Sequence, residues 1–351
     1  MKYSLVPKIS KNQINKAGKI LIVEDPNIED FLWAIDLANQ WRACHAYPIN
    51  TFNATLRSKL KDYENDPIVA QRLKRMPTII DKLKRYPNMQ LTTMQDIGGL
   101  RAVLNNKTDV YQLANSYVNN DNFPHELIDR KDYIKNPRDE DGYRSIHLIY
   151  KYKNNRNPAY DGLRIELQIR TKLQHTWATA VETMGTFLGQ ALKSRQGDKE
   201  WLDFFALTSS AFAHKERSSL IPRFSHLTKK ETYSAVTDAE YRIGALEKMR
   251  AFSVAVNEIV KKGRGWSYHL IILNSLEQTV QIKQYNRESI ELAMNDYALA
   301  EKEATAGKKI EPVLVSAGSI ENLRRAYPNY FLDISGFQKI VSDIREAVKK
   351  Y

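Results

Sequence analysis

Apolar and polar residues alternate most regularly between Gly142 and Thr171. In the run LRIELQIRT, Leu163, Ile165, Leu167 and Ile169 fall on one face of a strand, and Arg164, Glu166, Gln168 and Arg170 on the other. In GYRSIHLIYKY, Ile146, Leu148, Tyr150 and Tyr152 alternate with the polar pair Ser145 and His147. Turn-forming Asn154, Asn155, Asn157, Pro158, Asp161 and Gly162 separate the runs, so an antiparallel hairpin is expected. A strand with one greasy face and one face of charges and amides is half-buried. Its polar face is then either solvated or a site.

Elsewhere the period is mostly helical. Ile28, Phe31, Leu32, Ile35, Leu37 and Ala38 predict a helix over 27–44 with Pro26 at its start, and a second helix is expected over 51–63. Residues 1–26 read as mixed, with a basic start. The basic segment Gln71–Tyr86 is broken by Pro77, which predicts a loop or short strand feeding a helix from Thr78. Leu100–Leu104 reads as a buried strand behind the permissive Gly98 and Gly99. A helix over 108–120, a strand over 123–128 and a charged loop, Lys131–Asp141, lead into the hairpin. Thr171 is the expected N-cap of a helix reaching about Gly189, with Trp177, Val181 and Met184 on one side and His175 and Trp177 as packing and support.

From Trp201 to Lys262 the pattern stays helical, and Lys261–Gly265 carries two glycines among basic residues, as a linker would. Beyond it the pattern changes to strands at Tyr268–Leu273, Gln278–Tyr285 and Pro312–Val315, a helix over 288–304, a short helix near Ile320–Arg325 and a last amphipathic helix, Gly336–Lys350. The expectation is an α+β protein with two domains, 1–262 and 266–351, joined by a linker at about 261–265.

Composition narrows this only slightly. A chain of 351 residues with 42% hydrophobic content and both signs of charge reads as soluble and globular. No apolar run is long enough to span a membrane and the start is too polar for a signal peptide, so no membrane partner and a cytoplasmic location are expected. Cys44 is the only cysteine, which rules out an intrachain disulfide and a multi-cysteine zinc site, so no zinc is expected. The net charge of +12 points to an anionic partner, nucleotide or RNA.

Two acids stand out as candidate chemistry: Asp96, just before a strand, and Glu166, on the polar face of one. Around them in sequence lie Arg72, Lys74, Lys82, Arg101, Lys131, Arg138, Arg164 and Arg170. Phosphoryl-type transfer needs carboxylates that hold Mg²⁺ and cations that offset polyphosphate charge. The motif order sharpens this. Arg72, Lys74, Thr78 and Lys82 precede DIGGLR at Asp96–Arg101; then come KDYIKNP from Lys131, GYRSIH from Gly142 and ELQIRT from Glu166. Over roughly residues 70–190 this succession resembles the synthetase domain of the RelA/SpoT family, which transfers the pyrophosphate of ATP to a 3′-hydroxyl.

The resemblance implies a nucleotidyltransferase-like domain with a mixed β-sheet flanked by helices. It implies that Asp96 and Glu166 position Mg²⁺ as catalytic and metal residues, with Glu166 helping to deprotonate the attacking hydroxyl, and that Arg72, Lys74, Thr78, Lys82 and Arg101 bind ATP. Tyr143 would stack on the acceptor base as part of the catalytic set, and Lys131, Arg138, His147, Gln168 and Arg170 would face the acceptor. Thr78 stands where the family commonly has Ser. The acidic Asp139, Glu140 and Asp141 stand where its loop is more basic.

A synthetase followed by a small second domain resembles the fused toxin–antitoxin members of the family (CapRel type). That implies a small C-terminal α+β domain like a zinc finger without its metal ligands, and a YxxY, here Tyr327 and Tyr330, that covers the ATP side and holds the enzyme off. It also implies tRNA as acceptor, at its 3′ CCA end, with translation blocked, and release of the inhibition by a phage protein such as a major capsid protein, as in anti-phage abortive infection. The alternatives are a small alarmone synthetase making (p)ppGpp from ATP and GDP or GTP, and an inactive RNA- or partner-binding module.

Overall fold

The computed structural model describes residues 3–350 apart from 62, 64–66, 121, 188–198, 255–267, 275, 276, 278, 287, 309 and 317–333. The expected linker, the short helix near 320–325 and Tyr327 and Tyr330 lie outside the described residues.

The chain opens with three helices, α1 (Lys11–Ile20), α2 (Ile28–Ala43) and α3 (Ala46–Lys59). α1 corrects the mixed reading of residues 1–26. Ser10 and Gln13 form a reciprocal capping box at its start, and Ile14 and Ala17 bury its inner side. Next come β1 (Ile68–Leu73), α4 (Met76–Arg85), β2 (Gly98–Leu104), α5 (Lys107–Val118), β3 (Glu126–Asp132), β4 (Ile146–Lys151) and β5 (Arg164–Thr171). The third of these strands lies three residues later than the 123–128 expectation and takes in Lys131, which was placed in a loop. β3 is an edge strand with exposed or half-buried residues throughout, so its alternation is faint, and Phe123 instead joins the rings of Phe52, Tyr117 and Tyr150.

The five strands form one mixed sheet in the order β1-β2-β5-β4-β3, with β2 and β5 parallel and the other pairs antiparallel. The expected hairpin is the β4–β5 pair, in which Ile146, Leu148 and Tyr150 face Ile169, Leu167 and Ile165. Those residues join Leu100 and Ala102 of β2 in a core shared with α1–α5. The half-buried expectation for β5 needs correction. Its polar face is covered too, with Glu166 8% and Arg170 3% exposed.

α6 (Lys172–Phe187) starts at Thr171, whose hydroxyl accepts from the Gln174 amide while the Gln174 side chain accepts from the Thr171 amide. α7 (Lys199–Glu216), α8 (Lys229–Ile243) and α9 (Ala245–Val254) follow; Gly244, in the left-handed conformation, divides what the sequence suggested was one long helix. The second sheet is antiparallel, β7 (Thr279–Tyr285), β6 (Tyr268–Asn274) and β8 (Ile310–Ser316) in that order, and it packs on α10 (Ile290–Thr305). The last helix, α11 (Ser335–Lys349), lies elsewhere. Phe337, Val341 and Ile344 are buried among residues of α6–α9, so this helix joins the first unit's helical layer.

Candidate active site

Strand register sets the floor of the site. Across the sheet Ala70, Arg101, Gln168, His147 and Lys131 share one row, and Arg72, Gly99, Glu166, Ile149 and Asp129 the next. The side of the sheet opposite the apolar core therefore gathers Arg72, Arg101, Lys131, His147, Glu166, Gln168 and Arg170, which lie far apart in sequence. Gly99 keeps this floor open between Arg72 and Glu166, since a Cβ there would meet nothing closer than the Arg72 carbonyl at 3.9 Å.

Three positively charged groups crowd each other on the floor. Burial pushes the Arg170 guanidinium down to about 9, and its neighbours Arg101 and Arg72 add to that shift. Arg170 meets His175 Nδ1 at 2.5 Å, so His175 supports the floor as expected.

At one end of the floor, Asp96 sits between two ammonium groups. Lys74 Nζ and Lys82 Nζ each donate to one of its oxygens at 2.9 Å. Burial alone would raise the Asp96 pKa, but the two ammoniums outweigh it and hold the carboxyl far below the usual range. Lys74 is itself lowered by burial. Thr78 occupies the first turn of α4, behind Arg75 as N-cap.

At the other end runs a hydrogen-bonded chain. The Tyr143 hydroxyl lies 2.9 Å from His147 Nε2, His147 Nδ1 lies 2.8 Å from Glu166 Oε1, and Gln168 Nε2 donates to Glu166 Oε2 at 2.8 Å. Burial disfavours charge on all three groups, and mutual attraction wins in each. The Tyr143 phenol comes down to about 8, chiefly through His147 and Arg170; His147 goes up to about 9 through Tyr143 and Glu166; Glu166 stays below its ordinary value through His147. Glu166 is thereby held as an anion able to hold a cation, and the same lowered pKa makes it a weaker proton acceptor than a free carboxylate.

Tyr143 is more enclosed than a free stacking platform. Only 9% exposed, it is boxed by Tyr133 and His147, with the Arg138 guanidinium 4.5 Å from its centroid. Asp141 holds Arg138 by an ion pair of 2.7 Å and accepts from the Tyr143 amide at 2.9 Å. Lys131 reaches Asp129 and Gln95, both at 3.3 Å. The sequence reading missed the structural part played by Asp141, although its spacing of three from Arg138 was visible.

A magnesium ion suits this donor set. Mg²⁺ in nucleotide enzymes takes one or two carboxylates and fills its shell with phosphate oxygens and water, rather than with an all-protein cage. Asp96 and Glu166 supply such a pair, near enough that the charge on Asp96 acts on Glu166. Among the described residues no group of three or more His, Cys, Asp and Glu side chains is placed to hold a metal by itself.

A second buried ion cluster lies off the floor. On α10, Glu301 accepts from Arg42 of α2 at 2.7 Å, from Tyr297 at 2.6 Å and from the Met76 amide at the start of α4 at 2.8 Å. Beside it is a cavity of about 480 Å³ lined by Ile49, Leu73, Met294, Tyr297 and Leu314 among others.

Comparison with known proteins bears on the floor and its flanks. The family model described as "Region found in RelA / SpoT proteins" matches residues 71–185, about a third of the chain. The GTP pyrophosphokinase YjbM of Bacillus subtilis is 34% identical over 126 residues, 34% of this chain and 58% of that protein. The GTP pyrophosphokinase YwaC of the same organism is 31% identical over 114 residues, 31% of this chain and 52% of that protein. The chain thus spans little more than half the length of these curated relatives. Among solved structures, small alarmone synthetase 1 from B. subtilis bound to its product pppGpp aligns at 23% identity with a TM-score of 0.42, covering 53% of this chain and 93% of that one.

Proposed function

We propose that this protein is a Mg²⁺-dependent pyrophosphotransferase that moves the pyrophosphate of ATP to the 3′-hydroxyl of a guanosine nucleotide, GDP or GTP. The observation that carries the reading is the polar floor. It pairs a half-buried carboxylate, Asp96, and a buried one, Glu166, with a larger number of cations, Arg72, Lys74, Lys82, Arg101 and Arg170. Such a surplus suits a polyphosphate chain and its developing charge. In this reading Arg72, Lys74, Thr78, Lys82 and Arg101 bind ATP, and Asp96 and Glu166 hold the metal. Glu166 takes the proton from the attacking 3′-oxygen. That oxygen bonds to the β-phosphorus of ATP as the bond from β-phosphorus to the α,β-bridging oxygen breaks, and AMP leaves. Tyr143, His147, Gln168, Lys131, Arg138 and Arg170 form the acceptor side. The named relatives, both GTP pyrophosphokinases, support a guanosine acceptor.

One observation favours a second acceptor, the 3′ end of a tRNA. Asp141 already neutralises Arg138, whose guanidinium lies 4.5 Å from the centre of the Tyr143 ring, which leaves less positive charge for a free diphosphate or triphosphate. An RNA end presents its base and ribose with diesters in place of that dense charge. Incubation with ATP labelled at the γ-phosphate, with GDP, GTP or tRNA as acceptor, separates the readings. Label on guanosine nucleotides is expected; label on tRNA alone would transfer the proposal to the second acceptor, and no label on any acceptor would sink both.

The C-terminal unit reads as regulatory, its expected likeness to a metal-free zinc finger included. The support is Glu301, whose carboxylate sits at the N-terminus of α4, next to the ATP side and where a phosphate would be favoured.

A further inference from the structure

Tyr143 belongs to a turn that no strand holds. The turn begins at Gly142, which has a φ of +78° and where a Cβ would come within 2.7 Å of Ser209 Cβ and 2.8 Å of an Ile221 methyl. Both contacts come from beyond the matched region 71–185. Ser209, on α7 and 2% exposed, donates its hydroxyl to the Gly142 carbonyl at 2.5 Å and accepts from Arg144 Nε at 3.0 Å. A single buried hydroxyl therefore joins the residues on either side of Tyr143.

α7 is braced on its other sides. Phe337 of α11 packs its ring 5.8 Å from Phe205 and 5.7 Å from Phe212, and the Trp177 indole donates to the Phe205 carbonyl at 2.8 Å while its ring meets the edge of Tyr143. Pulling α7 away from the turn would leave the Gly142 carbonyl and the Arg144 guanidinium buried without this partner, which is costly. We propose that Ser209 is a positioning residue for Tyr143, alongside Asp141, which holds the Tyr143 amide, and that α7, braced by the last helix of the chain, sets the acceptor side of the site. The acceptor wall of this protein then depends on helices outside residues 71–185, where the family model matches.

The inference rests on the proposed acceptor role of Tyr143, so its test has one arm that does not use activity. Ser209→Ala is compared with Ser210→Ala, the same change one residue on, where the hydroxyl is buried with no partner. Hydrogen exchange of the peptide spanning the Gly142–Arg144 turn is expected to speed up about tenfold in Ser209→Ala, as one lost buried hydrogen bond predicts, while β1 and the Ser210→Ala protein exchange as before. In the transfer assay the acceptor KM is expected to rise by about tenfold with kcat and the ATP KM held, because a displaced Tyr143 weakens positioning rather than chemistry. Unchanged exchange at the turn overturns the proposal. So does an equal effect of Ser210→Ala, or faster exchange with no change in acceptor KM. A wild-type protein that transfers nothing would sink the functional reading, while the exchange arm would still decide the structural claim about Ser209.

Discussion

Two ion clusters among the described residues differ in how their charge is balanced. At the junction with the C-terminal unit, Glu301 is matched by Arg42, Tyr297 and a backbone amide, so that the carboxylate is fully used within the protein. On the sheet floor, Asp96 faces two ammonium groups, and Arg72, Arg101 and Arg170 crowd each other nearby. A cluster that satisfies itself serves as a dock. A cluster in which cations outnumber carboxylates is costly to assemble in a covered place and suits an anionic ligand. This contrast, more than burial or pKa alone, separates the site from the scaffold.

The contrast can be broken from either side. The largest effect is expected from Glu166→Gln, which removes the proposed proton acceptor and one of the two proposed metal-holding carboxylates while keeping shape. Transfer should fall by about 10²–10⁴-fold with the melting temperature near that of the parent. A fall in melting temperature matching the loss of activity would mean that Glu166 is structural.

The dock should respond in stability instead. Arg42→Met leaves Glu301 buried without its guanidinium, and loss of one partner of such a pair costs about 3–5 kcal/mol. Chemical denaturation should show a loss of that order. Lys82→Met, on the floor, should cost far less because Lys74 stays on Asp96 and the crowding of cations is relieved. Equal losses would erase the distinction between dock and site.

Tyr143→Ala is expected to raise the acceptor KM by roughly 5- to 150-fold, the equivalent of one stacked base, and to leave ATP binding in place. An unchanged acceptor KM would remove Tyr143 from the acceptor side.

A smaller effect concerns pH. His147 is raised from 6.5 to about 9, so it binds a proton more tightly folded than unfolded. Its contribution to stability is then fully present below pH 6.5 and is lost as pH rises through 9. Unfolding free energy should decline from pH 6.5 to about 8, above which the Tyr143 phenol, lowered from 10 to about 8, adds stability with rising pH and opposes the trend. His147→Gln should flatten the decline; an unaltered slope would show that another group titrates there.

Much of the floor was legible in the sequence. The alternation in LRIELQIRT places Glu166, Gln168 and Arg170 together, and the hairpin follows from the turn-formers after Tyr152. Motif order named Asp96, Lys74 and Lys82 as partners in chemistry, but nothing in their spacing says that both lysines would grip one carboxylate. The row from Ala70 through Arg101, Gln168 and His147 to Lys131 depends on strand order, which a linear pattern does not encode. β3 was blurred because an edge strand need not alternate. α1 was missed even though the Ser10–Gln13 capping box was readable, since basic residues masked its apolar stripe. The hold of Ser209 on Gly142 spans 67 residues and involves a common serine in an apolar helix, so only packing reveals it. Long-range satisfaction of buried polar groups is the part of a site that sequence conceals most completely.

The proposed binding of the nucleotide at the cation-rich end of the floor is tested most directly by calorimetric titration of a non-hydrolysable ATP analogue with Mg²⁺ into the full chain and into Lys82→Ala. The expected result is binding to the parent, weakened about tenfold or more in the variant by loss of one charge-assisted phosphate contact. Equal affinity in both proteins would contradict it, and would place the phosphates somewhere other than the Asp96 end of the floor.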